Sequence, residues 1–225
     1  MTSKFEAYDL FGILVPGLLM VGWVTICFPD AASSLSMGFP DAFSVILLTA
    51  VAVFAGHFVQ AIASAIEPLV FLSWGGRPSD IGLSKGLNRY LPLESSSRIK
   101  SKLIDVMGAS TDDHSHFLYA MQLSDGQNIG RARRFNSLYA YHRALLTLIV
   151  LCIVIGAVSL ACGATTGGTF WQNASLFGAG LVLAILFWYR AWQQACYYVR
   201  EVLLSAEHVL DDRKRKEAKP KEKEE

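Results

Sequence analysis

AFSVILLTAVAVFAGHFVQAIASAIEPLVFLSW, residues 42–74, carries no formal charge from Ala42 to Ile66. As a helix rising about 1.5 Å per residue, it is ample to cross a hydrocarbon core about 30 Å thick. His57, Gln60, Ser64 and Glu67 follow one another at steps of three, four and three, which places four polar groups on one helical face. Ala52, Gly56 and Ala63 lie on an adjoining face, where absent side-chain bulk lets another backbone approach. Such a stripe must look into protein or into water, because lipid offers its polar groups no partner.

Working outward, three further stretches are apolar enough and long enough to cross: residues 10–28, 144–163 and 170–189, beside 42–66. The 225 residues are 52% hydrophobic and 17% charged, against about 25% charged in soluble domains. Mean hydropathy is +0.35. The expected fold is an all-α membrane protein with four transmembrane helices. A helical cytoplasmic insert separates helices 2 and 3, and helix 4 continues into the cytoplasm. The chain divides into residues 1–74 with the first two spans, a basic insert at 75–143, and the last two spans at 144–193. A cytoplasmic helix follows at 194–210, then a charged, disordered tail at 211–225.

Loop charges orient these spans. Residues 30–41 hold no Lys or Arg and 164–171 no charge, whereas 75–143 hold ten Lys and Arg against six Asp and Glu. Positive loops stay inside, so both termini and the insert are expected in the cytoplasm of a multi-pass inner-membrane protein in contact with membrane lipids. The N-terminus, with one Lys before its apolar run and acids Glu6 and Asp9 beside it, does not read as a cleaved signal peptide. Pro16-Gly17 predicts a kink in the first span, and Trp23, Trp74 and Trp171 suit the membrane interface. Cys27, Cys152, Cys162 and Cys196 show no metal-ligand spacing and read as small packing residues.

Gly75-Gly76-Arg77-Pro78 breaks the second helix. A short helix is predicted from Ser95 or Ser96 to Met107, with Ile99, Leu103, Ile104 and Val106 on its apolar side. Asp112-Asp113-His114-Ser115-His116 reads as a helix N-cap, with a metal site as the weaker alternative. A turn at Asp125-Gly126 precedes a helix from about Asn128 that runs into the third span. It opens with Arg131, Arg133 and Arg134 and continues through Phe135, Tyr139 and Arg143. Arginines among aromatics suit a nucleotide or oligonucleotide ligand, through phosphate contacts and ring stacking. They equally suit anionic headgroups beside a membrane, or a cytoplasmic protein partner.

Beyond Tyr189 the helical pattern persists as a seam of Cys196, Val199, Leu203, Ala206 and Leu210. At about two heptads it is short for an independent coiled coil. It would dock on the insert of the same chain or on copies of itself.

The sequence holds no HExxH, GxSxG, P-loop or strand-associated GxGxxG, so neither an enzyme nor a cofactor or metal is expected. His57 and Ser64 are two turns apart, about 10 Å, too far for a direct nucleophile–base pair. The stripe serves equally as interhelical hydrogen-bond partners or as the lining of a water-filled path. Four helices of one chain enclose little space, so a path implies a homo-oligomer. A transporter is disfavoured by the lack of an inverted repeat.

Tyr8-Asp9-Leu10-Phe11-Gly12 with Val15-Pro16-Gly17, Gly56-His57-Phe58-Val59-Gln60-Ala61-Ile62, and Phe135-Asn136-Ser137-Leu138-Tyr139 with Arg143 resemble a group of bacterial four-span membrane proteins. Some of those accompany anti-phage defence genes. The broad architecture is similar to that of membrane effectors in nucleotide-signalling defence, including the Hailong type. The resemblance implies an oligomeric channel that depolarises the membrane when infection is sensed. The leading expectation is therefore a ligand-gated pore effector. The alternative is a non-conducting anchor or regulatory subunit for a cytoplasmic partner.

Overall fold

The computed structural model describes residues 7–28, 41–109, 111–125, 130–161 and 170–218, and among them every regular element is an α-helix. These are α1 (Ala7–Cys27), α2 (Asp41–Ser73), α3 (Pro78–Ser84), α4 (Leu93–Met107), α5 (Asp113–Asp125), α6 (Gly130–Ala161) and α7 (Phe170–Ala218). Stretches within Ala42–Ser84, Arg131–Ala161 and Ala174–Glu217 are long and apolar enough to cross a membrane, and Gly12–Cys27 is a shorter apolar helix. That composition fits a membrane-associated protein. The expected loop at 30–41 (but for Asp41), most of the loop at 164–171, Cys162 and the last seven residues lie outside the described residues.

The chain forms two compact units, Met1–Glu67 with Ser137–Ala191 and Pro68–Asn136 with Trp192–Glu225. In the first unit, small residues set the packing of α1 on α2. A Cβ on Gly17 would collide with the carbonyl of Ala52, and one on Gly56 with the carbonyl of Ile13. Ala52 and Ala63 are fully buried, as the small-residue face predicted. Polar side chains add bonds between helices. Trp23 Nε1 donates to the Cys152 carbonyl at 2.9 Å, and Ser159 Oγ donates to the Cys27 carbonyl at 3.2 Å. The apolar cluster here is small: Val59, Ala144, Leu145 and Leu148, with Met20 and Phe187 among the residues against it.

The second unit is held differently. Cys196, Val199, Leu203, Ala206 and Leu210 are all buried, and the α7 seam packs against Leu83, Leu87, Leu91, Ile99, Leu103 and Phe117. Of the two partners open to the seam, the chain's own insert occupies it. Positive φ at Gly75 (80°) and Gly76 (135°) turns the chain out of α2, a conformation that a Cβ would strain. Ser96 Oγ donates to the Gly82 carbonyl, tying α4 to α3. The N-cap reading of Asp112 holds: its carboxylate accepts from Ser115, which keeps it below the usual carboxylate range.

Two sequence expectations need correction. Val106 is not part of the α4 core face; it is 50% exposed, because Ser96, Ile99 and Leu103 define the buried stripe. The tail does not begin at Asp211 either, since α7 runs helical to Ala218. Its extra turns are held by ion pairs that a charge count does not reveal. Lys102 Nζ meets Asp211 at 2.7 Å and Lys214 meets Asp105 at 3.4 Å.

Those pairs extend a tighter network. Arg98 forks onto Glu207, Nε to Oε1 at 2.7 Å and Nη2 to Oε2 at 3.1 Å, and Lys102 Nζ donates to Oε1 at 2.8 Å. Hydrogen bonding from Arg98, then Lys102, holds the largely buried Glu207 carboxyl below its ordinary value.

Two stability predictions follow from this packing. Gly56→Ala should destabilise the protein in detergent unfolding by about 1–3 kcal/mol through overpacking. Gly178→Ala, whose Cβ meets nothing within 4 Å, should stabilise it by up to about 1 kcal/mol; equal effects would mean that α1 and α2 do not approach closely. Glu207→Gln should cost about 1–3 kcal/mol at neutral pH. A depressed carboxyl stabilises above its unfolded pKa of about 4.3 and loses that contribution as pH falls through its lower folded value. The gap between wild type and Glu207→Gln should therefore close on acidification; a gap independent of pH would assign the loss to packing.

Candidate functional site

The polar stripe of α2 is divided by its neighbours within the first unit. Gln60 Nε2 donates to the Gly12 carbonyl of α1 at 3.1 Å. Ser64 and Glu67, three residues apart, meet Tyr139 and Arg143 of α6, four residues apart. Tyr139 Oη donates to Glu67 Oε1 at 2.6 Å, Arg143 Nη1 pairs with the same oxygen, and Arg143 Nη2 donates to Ser64 Oγ at 3.2 Å. The Arg143 guanidinium also lies 5.4 Å from the centre of the Tyr139 ring. Arg143 Nε is buried without a partner. The cluster is a compact acid–guanidinium–phenol clasp, with spare donor capacity on Arg143.

Ser64 and His57 are both exposed on the stripe, but His57 makes no hydrogen bond to a neighbouring helix among the described residues. It is exposed on α2, between Phe54 and Phe58, which are 76% and 52% exposed.

The five basic and aromatic residues expected to hold a ligand fall in two places. Tyr139 and Arg143 belong to the clasp. Arg131, Arg133 and Arg134 are exposed in the first turns of α6, in the second unit. There Phe135 stacks on Tyr197 of α7 at 5.3 Å between ring centres, with planes 27° apart. Tyr90 meets Tyr197 edge-on at 5.1 Å, and the Arg89 guanidinium sits 5.0 Å from the centre of the Tyr90 ring. Arg89 Nη2 also donates to Tyr90 Oη at 2.8 Å. Sequence reasoning missed Arg89, Tyr90 and Tyr197. The available signal was Tyr197 flanking the buried seam at Cys196, a position from which a ring covers a neighbouring helix. His116, which the sequence offered only within the weaker metal-site alternative, is buried in α5 with neither ring nitrogen partnered.

No protein-family model, curated protein or solved structure matches the chain.

The clasp can be tested by a double-mutant cycle. Arg143→Met alone should destabilise more than Tyr139→Phe, because it strands the Glu67 charge. Adding Glu67→Gln to Arg143→Met should recover part of the loss, with a coupling of about 0.5–3 kcal/mol in detergent unfolding. Strict additivity would mean that the ion pair contributes no net stability.

Proposed function

We propose that this chain is a bacterial inner-membrane protein with four crossings, α1 supplying the fourth. Both termini and the insert lie in the cytoplasm, and copies assemble into a homo-oligomeric pore gated by a ligand through the insert. His57 carries the reading. A polar, ionisable side chain exposed among Phe54 and Phe58 on an apolar span is costly against lipid, and polar groups at such depth face protein or a water-filled path. A second copy, or a lumen that copies enclose, meets that demand. The resemblance to bacterial defence-associated membrane proteins extends the proposal to depolarisation on infection.

The second reading is a non-conducting anchor or regulatory subunit for a cytoplasmic partner. The clasp favours it: with Glu67 tied to Arg143 and Tyr139 in its own chain, a ring of free carboxylates for cations is not available in this arrangement.

Ion flux from liposomes carrying purified protein separates the two. A pore predicts flux that His57→Leu reduces about tenfold and a cation preference that Glu67→Gln alters. It also predicts a fixed oligomer in detergent. Flux indifferent to both substitutions would move the lining off α2. No flux under any nucleotide tried, together with a stoichiometric cytoplasmic partner, would favour the anchor.

A further inference from the structure

Arg89 and Tyr90 leave the segment between α3 and α4, Phe135 comes from α6 and Tyr197 from α7, yet these groups form one continuous ladder within the second unit. The rings are half-buried at the edge of the core, Tyr90 packing against it, and Arg89 is exposed. Arg131 lies four residues before Phe135, on the same face of α6, and it too is exposed. The ladder thus runs from a guanidinium across three rings, and Arg131 lies one helical turn before the last of them. A hydrophobic core needs no cations at its ends, and a membrane-facing basic patch needs no stacked rings. A nucleotide uses both, its phosphates meeting guanidinium groups and its base lying on an aromatic face.

We propose that Arg89, Tyr90, Tyr197, Phe135 and Arg131 form a nucleotide-binding platform, with the two arginines taking phosphate and the outer ring faces taking the base. The proposal rests on reading the insert as the ligand-sensing part of the protein, and it replaces Tyr139 and Arg143 as contacts with Arg89, Tyr90 and Tyr197. Phosphate alone would also be supplied by a lipid headgroup, but a headgroup has no ring to stack.

The test is direct binding to the full-length protein in nanodiscs of neutral lipid, separate from any flux assay. The probes are ATP, GTP and a short mixed-sequence single-stranded DNA. Saturable, salt-sensitive binding is expected for at least one probe. Arg131→Gln and Arg89→Gln should each weaken it about tenfold, and Phe135→Leu by a similar factor through lost stacking. Gly178→Ala, outside the platform and in open space, should leave affinity unchanged and serves as the control for folding. Absence of nucleotide binding would overturn the proposal. So would arginine-dependent binding to vesicles containing phosphatidylglycerol that no nucleotide displaces, which would assign the patch to lipid headgroups. Binding without flux would keep the platform and remove the pore; flux without nucleotide binding would do the reverse.

Discussion

Close backbone approach and polar contacts between helices are what the packing of the first unit depends on, as suits helices apolar enough to cross a membrane. Where the surrounding solvent is as apolar as Leu, helices associate through close backbone approach and through polar groups that find no partner outside. Gly17 against Ala52 and Gly56 against Ile13 supply the first. Trp23, Ser159, Gln60 and the Glu67–Arg143–Tyr139–Ser64 clasp supply the second. The second unit obeys the other regime. Its α7 seam and the short insert helices bury a contiguous set of Leu, Ile, Val and Phe, as a water-soluble core does. Its charges then sit at the rim, in the Arg98–Glu207–Lys102 network.

One helix passes between these regimes without a break. The apolar part of α7 presents Leu181, Val182, Ile185 and Leu186 outward, whereas beyond Ala191 the same helix buries residues at steps of three and four. The change is one of pattern: a helix apolar all round suits lipid, and an amphipathic one suits a protein partner under water. Backbone hydrogen bonding is indifferent to that change, so no turn is needed between them.

Much of this was legible in the sequence because hydropathy and period are local properties. The apolar runs, the break at Gly75-Gly76, the Asp112 cap and the buried seam each depend on residues within a few turns of one another. The stripe at His57, Gln60, Ser64 and Glu67 was legible as a stripe. Its division was not, since whether a polar group meets α1, α6 or nothing depends on contacts up to 79 positions away. The helical end of α7 was missed for the same reason. Its charges looked solvated until Lys102 and Asp105, more than a hundred positions earlier, were brought beside Asp211 and Lys214.

The arginines of α6 show where composition stops informing. Arg131 and Arg143 sit on one helix, in one run of basic and aromatic residues, and share a sequence signature. Arg143 meets a carboxylate, a phenol and a hydroxyl of its own unit, so its charge is answered inside the fold. Arg131 is exposed, one turn before Phe135. A guanidinium answered by the fold is a structural part whose loss strands its partner. One presented to solvent has no such partner to strand, and its loss is felt first at the surface. The same sequence signature therefore covers one guanidinium paired inside the fold and one at its surface, a difference that only contacts 76 and 79 positions away create.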